Sequence, residues 1–256
     1  MSARSSKLGL VVACCALAAC EKSPDATSTN VAPRSAEPGS PASSPPPVTV
    51  RSASSATLTP VAKSGLTVTH GAVTAGEAEM VHVRDPEVRA IAREASSDDA
   101  TLRFSYLGPT DRSAPLASGE LRRQVGLKLR AKDGCNLIYV MWRLEPKAEL
   151  VVSVKENPGK RTHADCGTHG YRNVAGDAPL RVPPIAVGEV HSLGAHLEGE
   201  RLSVTIDRGA PVNYALGAVA AELRGPVGFR TDNASVDLTL LVGPSSGTSA
   251  ETPEDD

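Results

Sequence analysis

Apolar and polar residues alternate through the central part of the chain, most clearly between residues 121 and 131. The apolar positions of this segment are Leu121, Val125, Leu127, Leu129 and Ala131, and the polar positions are Arg122, Gln124, Lys128 and Arg130. Side chains two residues apart share one face of a β-strand, so this pattern predicts a half-buried strand.

Similar segments follow along the chain. A turn signal at 132–134 (KDG) leads into an apolar run at 136–144, which predicts a hairpin whose second strand is buried on both faces. Residues 150–154 predict another strand, and 194–207 predict two strands joined by a turn at Gly199. A last strand is indicated by alternate apolar residues at Val236, Leu238, Leu240 and Val242.

One segment, 85–95, has the features of a helix. Asp85 suits the N-cap and Pro86 suits the first helical position. The predicted apolar face comprises Val88, Ile91 and Ala92. Many strands with one short helix predict an all-β fold, namely an antiparallel β-sandwich or barrel.

Composition separates this domain from both ends of the chain. Residues 20–60 are rich in Ser, Pro and Ala and contain almost no large apolar side chain, so we expect a disordered stalk. The acidic tail at 245–256 is polar and is also expected to be disordered. The domain therefore spans 61–244, which is long enough for one substantial core.

The first 19 residues have the pattern of an export signal. Arg4 and Lys7 precede an apolar run at 8–19. This run is shorter than the roughly 20 residues needed to span a membrane as a helix. A charged start, a short apolar stretch and small residues at its end predict a signal peptide at 1–19.

The sequence LAAC at 17–20 resembles the lipobox of bacterial lipoproteins. The resemblance implies cleavage before Cys20, lipidation of that cysteine and anchoring to the bacterial cell envelope. Because Glu21 follows the cysteine, the outer membrane is the preferred location, on its periplasmic or surface face. The alternative is an ordinary secretory signal in which the cysteine is incidental.

Two cysteines, Cys135 and Cys166, remain beyond the lipobox. An even pair in an oxidising compartment predicts a disulfide. The bond would stabilise the fold by about 3–4 kcal/mol according to the chain-entropy relation. The alternatives are two free structural thiols, or a metal site formed by His163, Cys166 and His169 with Asp165 as a further ligand.

The C-terminal third resembles a known fold family. The residues on which this resemblance rests are Gly199, Ile206, Asp207, the segment 225–230 (GPVGFR), Asn233 and Ala234. This region, about 188–243, resembles the end of concanavalin A-like lectin/glucanase domains, in the laminin-G-like and keto-disaccharide-hydrolase-like branch. The resemblance implies a jelly roll, a fold that carries lectins, hydrolases and adhesion modules alike.

Catalytic motifs are missing from the sequence. A glycosidase of this fold needs two carboxylates across the scissile bond, and no E-x-D-x-E-like spacing occurs. The carboxylates at Glu145 and Glu149, and at Glu198 and Glu200, are placed as turn or solvent-facing residues. We therefore expect a non-catalytic protein, with a divergent carbohydrate hydrolase as the alternative.

A polar segment at 163–173 carries most of the candidate ligand-binding residues. They are His163, Asp165, His169, Tyr171, Arg172 and Asn173. The resemblance implies that sugars bind on the concave face and rim loops, where this segment would lie. The alternative is a polar loop that packs over the sheet edge. Trp142 is a further candidate, either as a sugar platform or as a core residue.

Charged residues suggest two more kinds of site. Asp207, Asp232 and Asn233 could supply oxygen ligands to calcium, and no other cofactor is expected. A basic strand face could meet an anionic polysaccharide or simply face solvent; it comprises Arg122, Arg123, Lys128 and Arg130. Without residues 1–19 the formal net charge is −4, and no clustered basic surface indicates nucleic-acid binding.

These features together predict a lipid-anchored envelope protein with a non-catalytic binding domain. The favoured ligand is a glycan or an envelope polymer. Protein adhesion or a structural role in the envelope are alternatives. The sequence does not indicate an oligomeric state.

Overall fold

Two antiparallel sheets pack face to face in the computed structural model, which describes residues 57–93 and 95–245. This arrangement confirms the prediction of an all-β sandwich of the jelly-roll type. The predicted signal peptide, the Cys20 lipidation site, the stalk up to residue 56 and the tail from residue 246 lie outside the described residues. Within those residues, no helix is long and apolar enough to cross a membrane.

Fifteen strands occur in the described part of the chain. They are β1 (Thr59–Pro60), β2 (Leu66–His70), β3 (Thr74–Ala75), β4 (Val81–Val83), β5 (Glu87–Ala92), β6 (Asp99–Pro109), β7 (Arg123–Leu129), β8 (Leu137–Glu145), β9 (Glu149–Lys155), β10 (Tyr171–Val174), β11 (Val190–Glu198), β12 (Arg201–Ile206), β13 (Val212–Ala215), β14 (Gly228–Asp232) and β15 (Ala234–Val242).

The eight-stranded sheet has the order β13-β12-β11-β6-β15-β4-β3, with β1 also paired to β15. The seven-stranded sheet has the order β10-β9-β8-β7-β14-β5-β2. Each sheet therefore combines strands from the beginning, middle and end of the domain. Strands β11 and β12 form the hairpin predicted at 194–207, and Gly199 adopts a φ of 58° at its turn.

The core lies between the inner faces of the two sheets. The four alternate apolar residues predicted on β15 are all buried there. Trp142 on β8 and Phe104 on β6 meet edge to face, with ring centroids 5.7 Å apart. This contact joins the two sheets at the centre of the sandwich.

The segment predicted as a helix at 85–95 contains strand β5 instead. Val88, Ala90 and Ala92 are buried, whereas the side chains between them are only partly covered. The prediction was wrong because apolar residues at 88 and 92 satisfy both a helical and a two-residue period. Pairing with β2 and β14 selects the strand. Asp85 accepts a hydrogen bond from the backbone N–H of Ala72.

Short helical segments occur elsewhere in the described chain. They are a 3₁₀ turn (Lys63–Gly65), α1 (His163–Cys166) and α2 (Ala218–Glu222). The expected single helix is thus replaced by short turns in the connections between strands. Helix α1 lies beside the outer face of the seven-stranded sheet.

Candidate functional site

The outer face of the seven-stranded sheet, which points away from the core, holds a groove of about 270 Å³. Strand register determines which residues reach this face. Gln124 lies opposite Asp232 and Arg143, and Tyr139 lies opposite Lys128 and Ser153. The groove floor therefore comprises polar and aromatic side chains, together with the apolar side chains of Met141 and Val151, from strands β7 to β10 and β14.

Two segments form the walls of the groove. On one side is the connection between β6 and β7, represented by Leu116, Glu120 and Arg122. On the other side are His163 of α1 and Tyr171 at the start of β10. The groove is thus bounded by loops and has a floor of paired strands, which hold side chains in fixed positions.

A disulfide anchors the second wall. Cys135, just before β8, is bonded to Cys166 of α1, with Cα atoms 5.9 Å apart. This confirms the predicted bond and excludes both free thiols and a metal site that uses Cys166. Asp165 accepts hydrogen bonds from the N–H and hydroxyl of Thr162 and so caps α1.

Lys155 also holds this wall in place. Its buried ammonium group donates hydrogen bonds to the carbonyl oxygens of Gly134 and Gly167, at 3.2 and 3.0 Å. It lies 5.0 Å from the ring centroid of Tyr171. Burial and the neighbouring guanidinium groups lower the pKa of Lys155 to about 8. Lys155 therefore connects β9 to the residues next to both cysteines of the disulfide, Gly134 beside Cys135 and Gly167 beside Cys166.

Two tyrosines form an aromatic surface at this side of the groove. The rings of Tyr139 and Tyr171 stack, with centroids 6.0 Å apart and planes inclined by 23°. Tyr171 remains 40% exposed. Desolvation of its hydroxyl group, followed by the effect of Tyr139, raises the pKa of Tyr171 to about 12. The phenol of Tyr171 is therefore a neutral hydrogen-bonding group near neutral pH.

Arg230 reaches the groove from β14. Its guanidinium lies 5.5 Å from the ring centroid of Tyr139 and donates to both carboxylate oxygens of Asp232, at 2.8 and 3.1 Å. Gln124 donates to the same carboxylate at 2.6 Å. Burial alone would lower the pKa of Arg230, but the Asp232 carboxylate raises it above the ordinary value.

Lys128 is on β7, the strand next to β14, which carries Arg230. Its side chain is only 4% exposed. Among the described residues it has no hydrogen-bond or ion-pair partner. Burial, followed by repulsion from Arg89 and Arg230, lowers the pKa of Lys128 to about 8. Lys128 is thus a buried cation whose charged neighbours are other cations.

Two groove residues also contain buried polar atoms without a partner among the described residues. They are the side-chain oxygen of Gln124 and the Nε atom of Arg143. Arg143 forms an ion pair with Glu149 through another nitrogen. Buried polar atoms are normally satisfied, and exceptions are frequent at functional sites.

Only some of the residues predicted to bind ligand line the groove. His163, Tyr171 and Asn173 line the groove, as expected for a site in this segment. Burial, followed by the effect of Arg89, lowers the pKa of His163, so its imidazole is neutral near pH 7. Asp165 caps α1, and the Nδ1 atom of His169 lies 3.1 Å from a backbone oxygen.

Arg172 and Trp142 do not belong to this site. Arg172 points to the other face of β10, where it donates to the carbonyl oxygen of Leu216. Trp142 is fully buried between the sheets against Phe104 and His191. Because the adjacent residue Arg143 points into the groove, Trp142 points to the opposite face of β8 and is not a sugar platform.

The three residues suggested for calcium are not brought together. The Asp207 carboxylate accepts one hydrogen bond from the backbone N–H of Ser192 and contacts the ring of His191, on the eight-stranded sheet. Asp232 lies in the other sheet. Asn233 bonds to the backbone of the β6–β7 connection. No group of three or more possible metal ligands occurs within 57–93 and 95–245.

The predicted basic strand face is also divided. Arg122 pairs with Glu120, Arg123 with Glu145, and Arg130 with Asp98. Lys128 alone among the four residues has no such partner in the described chain. Lys128 and Arg130 are buried and Arg122 and Arg123 are half-buried, so the four residues do not form one solvated face.

Several groove residues were not among the sequence candidates. They include Gln124, Tyr139, Met141, Arg143, Val151, Ser153 and Arg230. Alternation alone places Gln124 with Lys128, and Tyr139 with Arg143, on shared faces. It does not show that these faces meet, because β5, β7, β8 and β14 are neighbours only after folding.

Glu120 is the one carboxylate among the described residues that line the groove, and Arg122 is bound to it. Asp232 lies beneath the floor and is bound to Arg230 and Gln124. Glycoside hydrolysis by the usual mechanism needs two carboxyl groups across the bond. The groove offers hydrogen-bond donors, aromatic rings and cations rather than such a pair.

Solved structures with a similar fold include carbohydrate-binding proteins. A carbohydrate-binding module, CBM66 from Bacillus subtilis, has 16% identity and a TM-score of 0.47 over 68% of this chain and 91% of its own. The Emp46p carbohydrate recognition domain has 11% identity and a TM-score of 0.42 over 70% and 88%. The Crh5 transglycosylase has 11% identity and a TM-score of 0.42 over 71% and 80%.

These likenesses concern the fold alone. No protein-family model matches the chain, and no curated protein matches it in sequence.

Proposed function

We propose that this protein binds a glycan in the outer-face groove without catalysing a reaction. The observation that carries the proposal is the groove itself, in which the Tyr139–Tyr171 stack adjoins polar side chains on rigid strands. Sugar rings pair apolar C–H faces with hydroxyl groups, so aromatic and hydrogen-bonding side chains suit them. A cavity of about 270 Å³ suits a short segment of a chain rather than a large enclosed ligand.

The sequence supports a location for this activity. We propose that Cys20 is lipidated and holds the domain at the bacterial cell envelope, with the segment between Cys20 and β1 (Thr59–Pro60) as a stalk. A glycan-binding domain in that position would meet envelope polymers or surface polysaccharides. This location rests on the LAAC motif at 17–20 and on the composition of the stalk.

The proposal is tested by titrating the full chain, kept in detergent, with neutral and acidic oligosaccharides and following heat release. Tyr171→Ala should weaken binding by about tenfold, since aromatic contacts contribute about 0.5–1.5 kcal/mol beyond their buried area. Val190→Ala, at an exposed site on the eight-stranded sheet, is the matched control and should bind normally.

Other outcomes would change the assignment. Release of shorter sugars during the titration would contradict the non-catalytic role and indicate a hydrolase. Absence of saturable binding to every oligosaccharide at millimolar concentration would contradict glycan binding and favour a protein partner. Equal binding by Tyr171→Ala and the parent would show that the groove is not the binding site.

A further inference from the structure

Four cations lie close together on the outer face of the seven-stranded sheet. We call Arg89, Lys128, Lys155 and Arg230 the cationic cluster. Arg230 lies directly opposite Arg89 on β5, and Lys128 is on the neighbouring strand β7. Tyr139, directly opposite Lys128, lines the groove together with Arg230. The cluster therefore adjoins the floor of the groove.

Three members of the cluster are satisfied within the protein. Arg89 forms an ion pair with Glu87, and Arg230 is bound to Asp232. Lys155 donates to two backbone carbonyl oxygens, as described above. These contacts explain why such groups can be buried, because a buried charge needs a partner of opposite sign or several hydrogen bonds.

Lys128 is not satisfied in this way. Its side chain is only 4% exposed, and no hydrogen bond or ion pair joins it to another residue of the described chain. Its ammonium nitrogen is not among the fully buried atoms that lack a partner, so the tip of the side chain still has exposed surface. Two carboxylates on this face, Glu87 and Asp232, are bound to Arg89 and Arg230. An aliphatic residue would suit folding better at this position, because Lys128 is largely covered and is repelled by Arg89 and Arg230.

We propose that the bound glycan carries an anionic group, and that Lys128, with Arg89 and Arg230 beside it, binds that group. This inference rests on the proposed function, because it specifies the class of glycan that occupies the groove. The anionic group is a carboxylate, sulfate ester or phosphate ester on the sugar. Its charge supplies the partner that Lys128 lacks in the protein.

Several titratable groups surround Lys128. They are Arg89 on β5 and Arg230 on β14, which lower its pKa, and Tyr139 on β8, which is directly opposite it in the strand register. With a pKa of about 8 in the free protein, Lys128 loses its proton above that pH. Affinity for an acidic glycan should therefore fall as the pH rises from 7 to 9, whereas affinity for a neutral glycan should change little.

The decisive comparison uses pairs of ligands that differ only in charge. Oligomers of galacturonate, guluronate and glucuronate are titrated into the full chain beside their methyl esters, and sulfated and phosphorylated oligosaccharides identify the preferred anion. The parent should bind at least one acidic oligomer about tenfold tighter than its neutral counterpart, as expected for a hydrogen bond to a charged group. Higher salt should reduce this preference.

Lys128→Met should bring the acidic and neutral oligomers to within about threefold of each other in affinity. Lys63→Met, which removes an exposed lysine from the 3₁₀ turn, is the charge-matched control and should retain the full preference. Far-ultraviolet circular dichroism and thermal unfolding establish that both variants are folded.

The inference and the proposed function fail in different ways. Equal binding of acids and esters by the parent, or an unchanged acidic preference in Lys128→Met, would overturn the anionic site and leave glycan binding intact. Absence of binding to every acidic, esterified and neutral oligosaccharide would overturn both.

Discussion

Replacement of Lys128 by methionine should make the ligand-free protein more stable. Methionine keeps an unbranched side chain of similar length and removes a charge that is only 4% exposed. The pKa of Lys128 is lowered from 10.5 to about 8 in the folded protein. A displacement of this size corresponds to about 3 kcal/mol of destabilisation near neutral pH.

The lowered pKa of Lys128 determines how the stability of the folded protein changes with pH. Between about pH 8 and 10.5 the unfolded chain binds a proton at Lys128 that the folded protein has lost, so stability rises with pH in this window. The penalty is fully present below pH 8 and disappears as the pH approaches 10.5. The stability advantage of Lys128→Met should therefore be largest at pH 7 and small at pH 10.

Urea denaturation of the parent and Lys128→Met at both pH values measures this advantage. At pH 7 we expect an increase of about 3 kcal/mol, or roughly 6–12 °C in Tm for a domain of this size. Lys63→Met, at an exposed position, should leave stability nearly unchanged at both pH values. An equal or lower stability of Lys128→Met at pH 7 would refute the reasoning, since it would mean that the buried ammonium group is already compensated.

Three further substitutions test other parts of the description. Cys166→Ser, which removes the bond to Cys135, should lower the free energy of unfolding by about 3–4 kcal/mol; a loss below 1 kcal/mol in denaturant titrations would contradict a stabilising role for the disulfide. Asp232→Asn leaves the Arg230 guanidinium buried without its carboxylate and should destabilise the protein by about 3–5 kcal/mol, whereas a normal Tm would show that Arg230 is satisfied elsewhere. Cys20→Ser should move the protein from the membrane to the soluble fraction on cell fractionation, and continued membrane association would exclude lipidation as the anchor.

Parts of the candidate site could be predicted from the chain. Three residues of the polar segment at 163–173, namely His163, Tyr171 and Asn173, line the groove, and their role in ligand binding stays a prediction. The same argument failed for Arg172, because neighbouring residues on strand β10 point to opposite faces. Composition alone does not distinguish the residues of this strand that face the groove from those that face the other way. The register of β10 with β9 was needed to show which residues face the groove.

Trp142 illustrates a second limit. An apolar run at 136–144 predicts a buried strand, yet it does not reveal which face packs against the other sheet. Pairing of β8 with β7 places Trp142 in the core and its neighbours Met141 and Arg143 in the groove. The distinction between a sugar platform and a core residue therefore depends on tertiary structure.

The sequence by itself determined the features that depend on short-range periodicity and on covalent chemistry. Two-residue alternation located strands such as β7, β12 and β15, and the compartment argument paired Cys135 with Cys166 correctly. The strand predictions succeed because side chains alternate along an extended backbone, and the disulfide prediction succeeds because Cys135 and Cys166 are the two cysteines that follow the LAAC motif.

Only the tertiary structure decided whether 87–92 is a strand and which charged residues share a face. Arg89, Lys128 and Arg230 are separated by about 40 and 100 residues in the sequence, and they meet because β5, β14 and β7 are adjacent in one sheet. The burial of Lys128 follows from that assembly. Its neighbours in the chain describe a solvated strand, whereas its neighbours in space leave a buried cation without a partner.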